Sequence, residues 1–392
     1  MIDKLTKKNN YYNLIIELLI RNNLNEIAGL DKKNKVTFFF KEIVNKIDID
    51  FLFFLIKKNK LIPFLKDNNF IKDIIPKLHI KLIKESKVEF LKSLRLSYLT
   101  SEISSYLESN SIKYIVIKGI PLSIDIYNDF YKRGAGDLDI LVDQSQIFDV
   151  INLLKKKNFF CSKNNFPIKK NSISFKYSKW VYYEITLTRI HKNYIEYIDL
   201  HWRINNNTGG IPNFSEIWNS KKSINLNNKK INIPNFKHNL IIIAANLSKD
   251  RWSSYRNLVD LQLLIRKKRH KIIDKLIKHK FFFMSLYRLS KLTKDNYYRP
   301  NLKYIVREKI TNFIIKENYK LTNKKYLKKE KLKYRMILFI YKLYLCENIN
   351  DLFANLCINI ITPNSLINSR SGELNNIFDI VSARMKSFKN LL

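Results

Sequence analysis

Asp137 and Asp139 stand two apart in "DLDILV", a run that alternates polar and aliphatic residues. On a β-strand residues i and i+2 leave the same face, so both carboxylates point one way while Leu138 and Ile140 enter the core. Two like charges held this close repel, and a cation between them relieves the repulsion. Hard oxygen donors of this kind favour magnesium bound jointly with substrate phosphates. Spacing alone is not diagnostic, because "KIDIDF" sets Asp48 and Asp50 the same way with nothing else around them. That pair reads as a surface or helix-cap feature.

The surroundings separate the two cases. The chain has 7 glycines in 392 residues, and Gly119, Gly134 and Gly136 all fall in "KGIPLSIDIYNDFYKRGAGDLDILV". Gly119 ends a predicted strand where a side chain would obstruct a phosphate approaching backbone N–H groups. Lys118 and Arg133 bring positive charge to the same end, and Gly134 and Gly136 leave the backbone free to enter the aspartate strand at an unusual angle. A third acid would complete a two-metal site for in-line displacement at phosphorus. "YIDLHWRI" supplies Asp199 on another alternating strand, with Tyr197 and His201 on its face. Glu184 and Glu196 compete for that role, although in a regular strand Glu196 faces away from Asp199. A hydrogen-bonded structural role is favoured for His201 over ligation, since the metals sought are hard. Trp202 reads as core.

These residues need elements to hold them. Residues 1 to about 100 carry apolar positions at helical spacing, as in "NLIIELLIRNNL" and "VEFLKSLRLSYL". From Ile112 the texture changes. "YIVIKG" is a short buried-strand pattern, "PLSIDIY" starts a helix at its proline, and "SQIFDVINLLKKKNFF" reads as a helix begun by Ser145. "SISFKY", "WVYYEITLTRI" and "NYIEYIDLHWRI" have strand character, "NNNTGGIPNF" is a loop, and "INLNNKKINIP" resembles a hairpin. Helical spacing returns after Pro234. The predicted class is α+β, with an N-terminal helical region (1–100), a mixed-sheet core (101–235) and a C-terminal helical domain (236–392).

Composition narrows the partners. The formal net charge is +38, which by itself raises nucleic acid or an anionic membrane. Overuse of Lys, Asn, Ile, Tyr and Phe beside scarce Gly, Pro and Ala points instead to a gene drifting toward A and T, and that reading is favoured. The runs "RKKRHK" and "NKKYLKKEKLKYR" then read as solvated helix faces, with few aromatics on which bases could stack. Cys161, Cys346 and Cys357 form no ligand pair and no disulfide framework, so a reducing compartment is expected. Glu17 interrupts the only greasy run near the N-terminus, and "FLFFLI" and "MILFIYKLYL" are too short to span a bilayer. The chain reads as soluble and cytoplasmic.

In their order, "IKG", "RGAGDLDILV", "DLHWRI", "FSEIW" and "HNLIIIAANLSKDRWSSYRNLVDLQLLI" resemble the uncharacterised nucleotidyltransferases, a family within the DNA polymerase beta-like superfamily. The likeness covers roughly residues 90 to 265, and the order of motifs is more specific than any one. It implies a nucleotidyltransferase-type core that moves a nucleoside monophosphate from an NTP to a hydroxyl of a small molecule or peptide. Asp137, Asp139 and Asp199 would be the catalytic acids and hold two Mg2+ ions, with Asp199 also helping to take the hydroxyl proton. Gly119 and the turn after it would cradle the triphosphate, with Lys118 and Arg133 at phosphate or acceptor. Lys249, Arg251 and Asp260 would line the helical side of the cleft. Ile120 stands where the wider superfamily prefers Gly or Ser, and Asn246 where the narrower family often has His. Transfer onto RNA, a kinase-like transfer of the γ-phosphoryl group, and a non-catalytic nucleotide-binding protein are the alternatives.

Overall fold

The structure, a computed structural model, describes residues 2–29, 40–161, 175–176, 179–180, 182–191, 193–205, 209–267, 271–295, 307–314 and 339–353. The basic run at 323–335 and Cys357 lie outside the described residues. Helices come first: α1 (Ile2–Ile27), α2 (Ile49–Lys58), α3 (Ile62–Leu65), α4 (Asn69–Ile74) and α5 (Pro76–Ser109). Then follow β1 (Tyr114–Val116), α6 (Gly119–Tyr127), β2 (Leu138–Val142), α7 (Ile147–Lys156), β3 (Phe160–Cys161), β4 (Glu184–His191) and β5 (Tyr194–His201). After α8 (Phe214–Asn219) and the strands β6 (Lys222–Leu226) and β7 (Lys229–Ile233), helices return. They are α9 (Phe236–Lys249), α10 (Tyr255–Lys267), α11 (Lys271–Leu276) and α12 (Lys280–Thr293). This is the α+β arrangement, a mixed sheet flanked in sequence by helices. No helix among the described residues is long and apolar enough to cross a membrane.

Two compact units are assembled from separated segments. One takes Met1–Tyr98, Gly119–Gly136 and Ile243–Lys331, the other Leu99–Lys118, Asp137–Ile242 and Leu332–Leu392. The first unit is helical. Its N-terminal helix is tied to later helices through Glu17, which accepts from Tyr255 Oη at 3.1 Å and from the Arg288 guanidinium. Asp48 caps α2 by accepting from Phe51 N at 3.0 Å, and the exposed Asp50 pairs with Lys81 at 2.7 Å. These two acids are thus a helix cap and a surface charge, as their sequence context suggests.

The second unit holds the sheet, in the order β1-β2-β5-β4-β3. β1 runs antiparallel to β2, β2 parallel to β5, and β4 antiparallel to both β5 and β3. Alternation sends Leu138 and Ile140 of β2, Leu187 of β4, and Ile198 and Leu200 of β5 into the core, each at most 2% exposed. Burying each such side chain contributes about 1.5–3 kcal/mol, and this fixes the register because a one-residue slip would expose them all. Helix α7 buries Ile147, Val150, Ile151 and Leu154, one stripe at helical spacing. On the sheet face shared with Leu187 and Ile198, Arg189 of β4 bonds Glu196 at 2.6 Å and Glu102 of α5 at 2.9 Å. Glu196 therefore faces away from Asp199, as strand parity requires.

Several local expectations need correction. Ser145 does not cap α7; Gln146 holds the N-cap position, and the Ser145 hydroxyl and N–H both bond Asp143 Oδ1 in a turn. Phe160 belongs to β3 and not to that helix, which ends at Lys156. Of "SISFKY" only Phe175 and Lys176 are described, and they are helical, as are Lys179 and Trp180, so β4 starts later than its sequence suggests. The hairpin does form: Asn227 and Asn228 take φ of +50° and +60°, the paired left-handed conformation of a two-residue hairpin turn.

Candidate active site

Parallel pairing of β2 with β5 sets Asp139 directly beside Asp199, and antiparallel pairing of β5 with β4 sets Asp199 beside Thr186 and His201 beside Glu184. Side chains at paired positions share a face. One face of the sheet therefore presents a polar row, Asp139–Asp199–Thr186, with His201 and Glu184 next to it. Ligand atoms of Asp139, Asp199 and His201 all lie within 4.8 Å of one another.

The hydrogen bonds in this row are unequal. Asp139 is 6% exposed, and its Oδ1 lies 2.7 Å from Lys118 Nζ and 3.0 Å from His201 Nε2. Burial alone would raise its carboxyl, but the Lys118 ammonium and the His201 imidazole outweigh burial and hold it well below the usual carboxylate range. Asp199 accepts from Thr186 Oγ1 at 2.6 Å. Its carboxyl is raised, first by burial and then by the charges of Asp139 and Asp137, with the Thr186 bond pulling the other way. Two neighbouring carboxyls are thus pushed in opposite directions, the usual way of giving like groups different tasks.

His201 is 1% exposed. Its ring stacks near Tyr183 with centroids 6.4 Å apart, and its Nδ1 lies 3.3 Å from Glu184 Oε2 without hydrogen-bond geometry. Asp137, the residue before β2, is half-buried and stands outside the group of converging ligand atoms, although its charge is felt at Asp199. Gly119 has φ +62°, a left-handed conformation that a side chain would strain, and it opens α6 directly after Lys118.

Apart from Trp202, which belongs to the sheet unit, the remaining candidates belong to the helical unit. Arg133 is 3% exposed and its Nε donates to Asp260 Oδ2 at 2.8 Å; Asp260, 0% exposed, also accepts from Tyr127 Oη at 3.0 Å. The Asp260 carboxylate is thereby bonded inside that unit and lines no open surface. Gly134, with φ +63°, receives Arg256 Nη1 on its carbonyl at 2.8 Å. Lys249 ends α9 exposed, and Arg251 follows in a left-handed turn at φ +51°. Asn246 is 8% exposed, and its Nδ2 is buried with no hydrogen-bond partner. Trp202 is buried, as expected of core, with Nε1 donating to Lys179 O at 2.9 Å.

A family model described as "Uncharacterised nucleotidyltransferase" matches residues 45–282, more than half of the chain. The chain belongs to that family. A comparison with curated proteins gives no match, and neither does one with solved structures. For this nucleotidyltransferase family member the match extends beyond both ends of the motif region, from within the N-terminal helices into α12. The donor set suits a divalent metal: Asp139 is held ionised, and Asp199 and one His201 nitrogen stand within ligand reach. Sequence reasoning passed over Thr186 and set His201 aside. The clue was "EIT", whose Glu184 and Thr186 repeat on β4 the i, i+2 spacing of "DLH" on β5.

Proposed function

We propose that the chain is a divalent-metal-dependent nucleotidyltransferase that moves a nucleoside monophosphate from an NTP to a hydroxyl of a small molecule or peptide. The register that sets Asp139 beside Asp199, with ligand atoms converging within 4.8 Å, is the observation that carries this reading. Asp137, Asp139 and Asp199 would hold Mg2+ ions, and His201 stands within ligand reach of the last two. Bound divalent metal supplies neutralisation of the triphosphate and a lowered pKa for the attacking hydroxyl.

The chain's own residues do the rest. Lys118 keeps Asp139 charged and, lying just before the turn into α6, would meet a phosphate oxygen of the bound nucleotide. The left-handed Gly119 keeps a Cβ away from that turn, so that backbone N–H groups can face an anion. Asp199 would also help to take the hydroxyl proton. Thr186 orients it through the 2.6 Å hydrogen bond. Bond formation between the hydroxyl oxygen and the α-phosphorus expels pyrophosphate, and the proton leaves through Asp199.

The test is incubation of the purified chain with each labelled NTP, a divalent metal and a cell extract. Transfer of the α-label with pyrophosphate release is expected. Release of nucleoside diphosphate with transfer of the γ-label would instead identify the kinase-like reaction, and no transfer of either label would defeat the enzymatic reading.

A further inference from the structure

His201 is 1% exposed, yet its Nδ1 has no hydrogen-bond partner. Leaving a buried ring nitrogen unsatisfied is unfavourable, and a structural histidine would be expected to engage both nitrogens. The two sides of the ring differ. Nε2 points to Asp139, 3.0 Å away, and His201 offers one ring nitrogen to the group whose ligand atoms lie within 4.8 Å of one another. Nδ1 points to the carboxylate of Glu184, 3.3 Å away, too poorly aligned for a hydrogen bond.

Histidines that ligate metals are built this way. One nitrogen takes the metal, and the other donates its N–H to an outer carboxylate that fixes the tautomer and orients the ring. Here the parts stand in that order across adjacent strands: Glu184 on β4, His201 on β5, then Asp139 on β2 and Asp199 on β5. Ligand atoms already within 4.8 Å of one another need only small shifts to meet one ion, whose bonds of about 2.1 Å set ligands at most about 4.2 Å apart.

Resting on the metal-site reading above, we propose that His201 ligates the metal through Nε2, with Glu184 accepting from Nδ1, and that this nitrogen donor makes the site prefer Mn2+ to Mg2+. Mg2+ holds to oxygen ligands and to its water, whereas imidazole suits transition dications; Mn2+ is one that also accepts a carboxylate-rich site. Both roles lie with residues whose side chains the strand register already brings to one face.

The test uses the full chain and Mn2+ alone. Bound Mn2+ is counted by electron paramagnetic resonance, Mg2+ competition gives the affinity ratio, and electron spin echo modulation reports a directly bonded 14N. Wild-type protein is expected to show 14N modulation that disappears in His201→Ala. Glu184→Gln should keep the modulation but weaken Mn2+ about tenfold, with little change for Mg2+. Mn2+ bound by wild type and lost in Asp139→Asn, but without 14N modulation, would overturn the histidine ligation and leave the metal site standing. No Mn2+ binding by wild type would overturn the metal site itself. The wild-type spectrum decides on its own, so a variant that folds poorly does not blunt the test.

Discussion

At the residue scale the two Asp-x-Asp pairs make a controlled comparison. Asp139→Asn and Asp199→Asn are expected to lower kcat by roughly a thousandfold or more, the scale of losing an electrostatic group at the reacting centre. Asp137→Asn should also abolish turnover, and all three should keep the circular dichroism of the wild type. Asp48 and Asp50 differ in kind. Asp48→Ala removes the bond to Phe51 N and should cost about 1 kcal/mol of stability with kcat unchanged, while Asp48→Asn keeps a capping oxygen and should cost less. Asp50→Asn loses only an exposed pair with Lys81 and should change neither. Equal activity in the variants of both pairs would refute the assignment. The pairs look alike in spacing; flanking glycine and charge told them apart, whereas His201 reads as structural until its strand neighbours are known.

At the scale of elements, buried charge decides where the helical unit is fragile. Arg133 and Asp260 have side chains 2% and 0% exposed, so removing one partner leaves an uncompensated charge in the interior. Asp260→Ala should destabilise by about 3–5 kcal/mol, read as a lowered urea midpoint. In the sheet unit the Arg189 bond holds the Glu102 carboxyl below its ordinary 4.5, against the opposing effect of burial. A depressed carboxyl contributes stability that is whole above its unfolded value and is lost as pH falls below it. Acid unfolding below about pH 4.5 should therefore be shallower in Arg189→Met than in the wild type, after its lower starting stability is allowed for. The elements themselves were unevenly legible. Asn227-Asn228 announces its hairpin because few residues take paired left-handed conformations, whereas β3 is two residues long and exists only because β4 pairs with it.

On the scale of the whole molecule the net charge of +38 is the open lever. If A and T drift explains it, RNA binding should be weak and non-specific, falling linearly in log affinity against log salt and vanishing near 0.2 M salt, measured by fluorescence anisotropy. Binding that survives such salt would favour transfer onto RNA. The two units are built from interleaved segments, with passages at Tyr98–Leu99, Lys118–Gly119, Gly136–Asp137 and Ile242–Ile243. Lys118 and Asp137, both flagged from sequence, stand at such passages. A linear reading divides a chain where its texture changes, and it has no means of seeing that a stretch such as 119–136 packs with helices more than a hundred residues away.

From sequence alone came the class, the family likeness, the strand that carries Asp139 and the choice of Asp199 as third acid, because side-chain alternation and turn-forming residues are local properties written in neighbouring positions. Tertiary structure alone decided that Asp139 pairs with Asp199 in parallel register, that Thr186 and Glu184 join them, and that a His201 nitrogen converges with the two carboxylates and does not stand apart from them. The physical reason is that pairing between strands some sixty residues apart depends on which buried faces match across the sheet. That energy belongs to the assembled core, and no short window of the chain contains it.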